Sequence, residues 1–208
     1  MMKIWGRNTS SNVQKVAWAC GELGLPFERI DIGGPFGKNN EPPYLALNPN
    51  GVVPTLEEDD GFILWESNSI VRYLASRYGA GKLEPFDPRV RAKAQSWMDW
   101  QLSVANLAIF PVFWGLVRTP PEGRDPKSIE DGKQKCFAAA KIMDAQLART
   151  RFIADDQFSY GDIPIGPFIY RYFRLVPDHP PLPNVERWYG EISERPAFKE
   201  HVLSVPFT

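Results

Sequence analysis

Asn48-Pro49-Asn50-Gly51-Val52-Val53-Pro54-Thr55-Leu56, continued further on by Trp65-Glu66-Ser67-Asn68-Ser69-Ile70, is the stretch that decides how the first third of the chain folds. Two apolar runs, Val53 to Glu57 and Phe62 to Trp65, flank Asp59-Asp60-Gly61, and that arrangement predicts a β-hairpin. Beyond it, Ile70, Val71, Leu74 and Tyr78 share one face of a helix over 67–78. Toward the N-terminus, Gly33 to Asn50 is rich in Gly, Pro and Asn and reads as a loop with room for one helical turn. Phe27 to Ile32 alternates apolar and polar residues, as a half-buried strand does. Val13, Val16, Ala17, Cys20 and Leu23 recur at helical spacing, and Gly24 and Pro26 close that helix with a glycine cap and a proline stop. Met2 to Trp5 is a short apolar run before the polar break Gly6 to Asn12. The order is strand, helix, strand, loop, hairpin, helix, opening on a βαβ unit with a right-handed crossover. It predicts an α/β thioredoxin-like domain over residues 1–78.

The composition then changes. Residues 79–86, Gly79-Ala80-Gly81-Lys82-Leu83-Glu84-Pro85-Phe86, read as a linker, and residues 87–208 as an all-helical domain. Asp87-Pro88 starts a helix well, with Asp as N-cap and Pro at the first helical position. Val90, Ala94, Trp97, Val104 and Ala108 continue it, while Cys136, Ala140, Met143 and Leu147 define another amphipathic helix. Ser159-Tyr160-Gly161-Asp162 is a capping box with Asp in place of the usual Glu. Pro164 and Pro167 follow inside an apolar stretch, where proline in a helix interior costs about 3 kcal/mol. A kink or a delayed helix start is therefore expected.

Composition excludes several classes of function. A net charge of −1 offers nothing to nucleic acid or to an anionic membrane. No apolar run is expected to span a membrane, and the first residues lack the apolar core of a secretory signal. Cys20 and Cys136 cannot build a multi-bridge disulfide framework, fall on apolar helix faces, and fit a reducing cytoplasmic location. The absence of Cys-x-x-Cys excludes a thioredoxin-type redox enzyme, and Gly33-Gly34-Pro35-Phe36-Gly37 matches no phosphate-loop pattern. No metal is called for.

Three motifs together carry a resemblance. They are Thr9-Ser10-Ser11-Asn12-Val13-Gln14-Lys15-Val16, the paired stretch quoted first, and the Ser159 box with Arg187-Trp188-Tyr189 and Glu194-Arg195-Pro196-Ala197-Phe198 behind it. From Met2 to about Val202 the chain resembles the cytosolic glutathione transferase family, closest to its serine-type bacterial members. The resemblance implies glutathione as co-substrate and a homodimer. It also implies that Val53 presents its backbone to the cysteinyl part of glutathione, followed by Pro54 in the cis form. Read alone, Val-Pro-Thr-Leu also suits an ordinary strand start with a trans proline. Glu66 and Ser67 match the pair that holds the γ-glutamyl end, Ser67 at a helix N-terminus that attracts a carboxylate and Glu66 facing the ligand's ammonium. Ser67 as a plain N-cap is the simpler role, and the two are compatible.

The reactive end of glutathione is its thiol. Near its free pKa of about 8.5 a thiol is mostly protonated at neutral pH, and the thiolate is the nucleophile. The family's register puts the catalytic hydroxyl at Ser10, with Thr9 and Ser11 as adjacent hydroxyls. Asn12 falls where relatives have a second thiol-directed group. Where many relatives carry Gln or Lys, this chain has Val52, so the glycyl carboxylate is left to Lys38 or Asn50. The electrophile pocket that the family forms between its domains points to Phe110, Phe113, Trp114 and Arg118, although aromatics at helical spacing also suit a core. Trp97 and Trp100 are assigned to core or dimer contact. The implied function is glutathione transfer to a small hydrophobic electrophile, in the manner of detoxification enzymes. A disulfide reductase, peroxidase or dehalogenase, or a non-catalytic glutathione-binding protein, fits the same scaffold.

Overall fold

The computed structural model describes residues 1–208. Four short strands, β1 (Lys3–Trp5), β2 (Glu28–Ile30), β3 (Thr55–Glu57) and β4 (Ile63–Trp65), form one sheet in the order β2-β1-β3-β4. β1 and β2 run parallel, whereas β1–β3 and β3–β4 are antiparallel. Helices α1 (Ser11–Leu23) and α3 (Ser67–Tyr78) pack on each other, and α2 (Pro42–Leu45) is a single turn in the long loop. Ile4, Val16, Leu56, Ile70 and Leu74 are the fully buried centre of this unit. The strands are shorter than the apolar runs suggested. Pro54 has no N–H to donate, so the β1–β3 ladder begins at Thr55 opposite Trp5.

The chain divides into two compact units. The first holds Met1–Glu84 together with Arg195–Phe207, and the second holds Pro85–Glu194 and Thr208. Residues 195–207, expected in the helical domain, therefore cluster with the first unit, and Leu83 of the expected linker is buried in it. The reasons are specific. α9 (Pro196–Phe198) sets the Phe198 ring 4.5 Å from that of Trp18. Arg195 Nε and Nη2 donate to Glu22 at 2.7 and 2.6 Å. Gly21 leaves the space for this approach, because a Cβ there would lie 2.7 Å from that of Ala197.

In the second unit, α4 (Pro88–Trp100) and α5 (Asn106–Phe113) join through a π-helical turn, Gln101–Ala105, and a second such turn ends at Arg118. The result is one continuous helix, Pro88–Arg118. Asp87 caps it by accepting from the Arg89 amide at 2.7 Å. Asp125 repeats the device for α6 (Pro126–Leu147), accepting from the amides of Lys127 and Ser128. α5 and α6 pack closely because Gly132 has no side chain: a Cβ there would meet Val112 Cγ2 at 2.7 Å.

The long helix corrects one expectation. Pro88–Arg118 is long and apolar enough to cross a membrane by length and composition only, a test that a core helix also passes. No charged residue stands between Asp99 and Arg118. Only 33% of its apolar window is buried, so much of its apolar surface faces outward.

The remaining helices are α7 (Ile165–Leu175) and α8 (Pro183–Ser193). Only the acidic half of the Ser159 box forms, and the helix start behind it is delayed. Asp162 accepts from the Ser159 amide at 3.0 Å, while α7 begins only at Ile165. Pro164 then occupies the N-cap and Pro167 the first turn, where an N–H has no partner within the helix to lose.

Candidate functional site

Ser10 is the N-cap of α1, with φ −78° and ψ 122°, yet its hydroxyl makes no capping hydrogen bond. Its backbone does the local work: the Ser10 carbonyl accepts from the Gln14 amide at 2.9 Å. The start of α1 thus keeps its N–H groups and the Ser10 hydroxyl together at one half-exposed point. Ser11 is the first helical residue, and both Ser11 and Thr9 are also half-exposed.

Asn12 points toward the start of α3. Ser67 Oγ donates to Asn12 Oδ1 at 3.4 Å, so this side chain is linked to the helix that the γ-glutamyl motif begins. Ser67 is the first residue of α3 and is 3% exposed, and the N-cap position belongs to Glu66. Glu66 is exposed and has φ +70°, a region that a residue with a side chain seldom occupies. That turn between β4 and α3 sends the Glu66 side chain to the surface and leaves Ser67 buried beside it. Lys15, which the sequence reading used only for register, is 1% exposed and donates to Ser67 Oγ at 3.5 Å and to Asn68 Oδ1 at 3.3 Å. Asn12, Lys15, Ser67 and Asn68 therefore form one connected polar cluster. Nothing in the sequence marked Lys15, since its neighbours Gln14 and Val16 are buried as well and α1 is enclosed almost all round.

The Val53–Pro54 bond is cis. The loop before it is clamped by two side chains that sequence reasoning missed. Tyr44 Oη and Asn48 Nδ2 both donate to the Val52 carbonyl, at 2.7 and 2.8 Å, and Tyr44 Oη also meets Thr55 Oγ1 at 2.9 Å. Burial pushes the Tyr44 hydroxyl above its ordinary pKa. Asn48 lay inside the quoted motif, but its role as a clamp depends on chain geometry. Asn39 Nδ2 donates to the Gly51 carbonyl at 2.7 Å and so binds the Lys38 loop to this one. Lys38 is exposed with φ +62°. Asn50 is exposed, and its amide is engaged with Asn48 Oδ1 at 3.1 Å.

In the helical unit, Phe110 and Trp114 are 56% and 53% exposed and stack with ring centroids 5.5 Å apart. Phe113 differs: it is buried, with the Arg171 guanidinium 4.1 Å and that of Arg118 5.7 Å from its ring. It belongs to the packing of this unit rather than to an open surface. Arg118 is exposed and donates to the Thr208 carbonyl at 3.1 Å. Trp97 and Trp100 are half-buried and meet edge to face at 5.0 Å. Cys20 and Cys136 are buried free thiols, each pushed up to about 12 by burial, and so are unreactive at neutral pH.

The chain as a whole has close counterparts. The pattern of the glutathione S-transferase N-terminal domain matches residues 5–85, and that of the C-terminal domain residues 104–196. The chain is 46% identical over 204 residues to glutathione S-transferase GstB of Escherichia coli K12, covering 98% of both chains. It superposes with a TM-score of 0.95 on a theta class glutathione S-transferase from Xanthomonas axonopodis pv. citri solved with glutathione bound, at 42% identity, covering 100% of this chain and 99% of that one. Glutathione transferase F7 of Populus trichocarpa gives a TM-score of 0.88 at 29% identity, covering 100% of both chains. Sequence patterns in both halves and end-to-end similarity to such relatives establish that this chain belongs to the glutathione S-transferase family.

Proposed function

We propose that this glutathione transferase binds glutathione along the edge formed by Ser67, Glu66 and the Val53 backbone, and activates its thiol at Ser10 for attack on a small hydrophobic electrophile. The observation that carries the reading is the Ser67–Asn12 hydrogen bond of 3.4 Å. It joins the start of α3, suited to a carboxylate, to the start of α1, suited to a thiolate, so one extended peptide can reach both. Val53 lies just before the β1–β3 register begins and offers backbone groups for edge-on pairing. Lys38 and Asn50 are the proposed contacts for the glycyl carboxylate, on loops that Asn39 holds together. Phe110 and Trp114 are the proposed apolar surface for the electrophile, with Arg118 and Phe113 as further proposed contacts on the same helix.

Titration calorimetry tests the first part. Wild type is expected to bind glutathione, and Ser67→Ala to bind it about tenfold more weakly, the equivalent of about 1.4 kcal/mol for a hydrogen bond to a charged group. No heat from wild type at millimolar glutathione would overturn the reading. Rates with aryl halides, peroxides and mixed disulfides then separate transfer to a small electrophile from peroxidase and disulfide reductase activity.

The same proposal includes a homodimer and a cytoplasmic location. Two reduced, buried cysteines support the location. Val104, Leu107, Ala108, Ala139 and Ile142 line an open apolar groove of about 380 Å³ on the helical unit, and Leu107 is 66% exposed. Apolar surface of this kind marks an interaction site, and a second copy is the commonest partner. Light scattering at micromolar concentration should give about twice the chain mass of 23.6 kDa. A stable single-chain mass would remove the dimer.

A further inference from the structure

We infer that Arg7 selects the second substrate, as a specificity-determining residue for an electrophile that carries a carboxylate. The inference rests on the reading that glutathione lies along Val53 with its thiol at Ser10, and it names the class of molecule the thiol attacks. β1 and β2 run parallel, and their pairing continues past the strand ends. The Gly6 amide donates to the Ile30 carbonyl at 2.8 Å and the Arg7 amide to that of Ile32 at 3.1 Å. The connection through α1 leads from β1 to β2 on one side, whereas β3 lies on the other side of β1. The carboxyl end of β1 is therefore where the strand order reverses, and open sheets bind ligands in the crevice there. Arg7 stands two residues past that end. Its carbonyl accepts from the Ser10 amide at 3.2 Å, so Arg7 and Ser10 share one turn.

The Arg7 side chain is half-buried and has a seat. It crosses Gly33 and Gly34, whose φ values are +77° and +59°. A Cβ on Gly34 would lie 2.8 Å from Arg7 Cδ and 2.9 Å from Nε, and one on Gly33 would lie 3.4 Å from Nη1. That same point is 3.4 Å from Val53 Cγ1, so the guanidinium is held beside the residue proposed to pair with the cysteinyl part of glutathione. Each glycine costs conformational entropy on folding, and an arginine that only keeps a loop in solution needs no such seat. A guanidinium is planar and weakly hydrated, and its fork matches a carboxylate with two parallel hydrogen bonds, which a neutral group receives less strongly. In the transfer, the glutathione sulfur forms the new bond to carbon and the leaving group departs with the electron pair of the bond that breaks. The thiol proton passes to solvent. The carboxylate keeps its charge throughout and serves as the handle that Arg7 holds.

Calorimetry with three ligands tests this. They are glutathione, S-(4-carboxy-2-nitrophenyl)glutathione and the matching carboxamide, S-(4-carbamoyl-2-nitrophenyl)glutathione. Wild type is expected to bind the carboxylate conjugate about tenfold more tightly than the carboxamide. Arg7→Met should abolish that preference while its affinities for glutathione and the carboxamide stay close to those of wild type. Arg7→Lys keeps the charge without the fork and should recover part of the preference. Gly34→Ala keeps the guanidinium but pushes it off its seat, and should lose the preference as well. Equal affinity of wild type for the two conjugates, or a preference that persists in Arg7→Met, would overturn the inference and leave the glutathione reading intact. Losses of equal size for all three ligands in Arg7→Met would assign Arg7 to glutathione or to the fold, and would overturn it too. Failure of wild type to bind glutathione would defeat both. If Arg7→Met does not fold, Arg7→Gln serves in the same comparison.

Discussion

Replacing Asp162 with Ala is expected to lower the unfolding free energy by about 3–5 kcal/mol. Asp162 is completely buried. Oδ1 accepts from the Ile153 amide and from Trp188 Nε1, both at 2.9 Å. Oδ2 accepts from the Ser159 amide at 3.0 Å and from its hydroxyl at 3.5 Å. One carboxylate therefore ties the segment after α6, the turn before α7 and the face of α8 into a single unit. Alanine leaves at least three donors in a dry interior, each costing about 1–3 kcal/mol, less whatever the chain recovers by relaxing. Asp162→Asn should fall between, because it keeps the volume and one acceptor but aims an N–H at donors. Urea unfolding followed by tryptophan fluorescence reads the change, with Trp188 beside the lesion. A loss below about 1 kcal/mol would mean that the donors find other partners, and the carboxylate would not be the tie.

Features written by one side chain on its neighbouring backbone were the legible part of the fold. The Asp87-Pro88 start stands where local capping chemistry put it, and Asp162 meets the Ser159 amide as the box requires, whereas Ser67 opens α3 as its first helical residue and not as its N-cap. Asp125-Pro126 carries the same local signal as Asp87-Pro88, and it caps α6 in the same way. What the sequence hides is the choice among distant partners. Residues 195–207 join the first unit because Gly21 is small and Trp18 offers a ring to Phe198, and neither fact is periodic. The proposed site divides along the same line. Val53, Pro54, Glu66 and Ser67 were visible through motif spacing. The turn of Asn12 toward Ser67, the Tyr44 and Asn48 clamp on Val52, and the buried ammonium of Lys15 depend on contacts between α1, α2 and α3. A side chain also keeps its chemical identity while changing its job: Phe113 is as aromatic as Phe110, but two guanidinium groups cover it.

Ser10→Ala is expected to lower kcat at neutral pH about a hundredfold and to raise the pKa of the bound thiol by one to two units. Lowering a thiol pKa by two units takes about 2.7 kcal/mol of preferential stabilisation of the thiolate. A hydroxyl donated to a charged acceptor supplies about 1.5–3 kcal/mol, and the start of α1 supplies the remainder. Ser10 suits this work because its hydroxyl, though at the N-cap, is not spent on capping α1. Its loss should therefore cost activity with little change in stability, whereas a capping serine replaced by alanine would cost about 1 kcal/mol of fold. The sign of the pH effect follows. With the thiol pKa raised, the thiolate fraction at pH 7 falls, and it recovers as the pH climbs through the new pKa, so the variant should regain part of its rate near pH 9. Thiolate absorbance across a pH series reads this shift directly. Ser11 stands one residue further on, at the first helical position, and Asn12 is already turned to Ser67. A larger pKa rise in Ser11→Ala or Asn12→Ala, with none in Ser10→Ala, would move the catalytic hydroxyl or its partner along the helix and refute the assignment to Ser10.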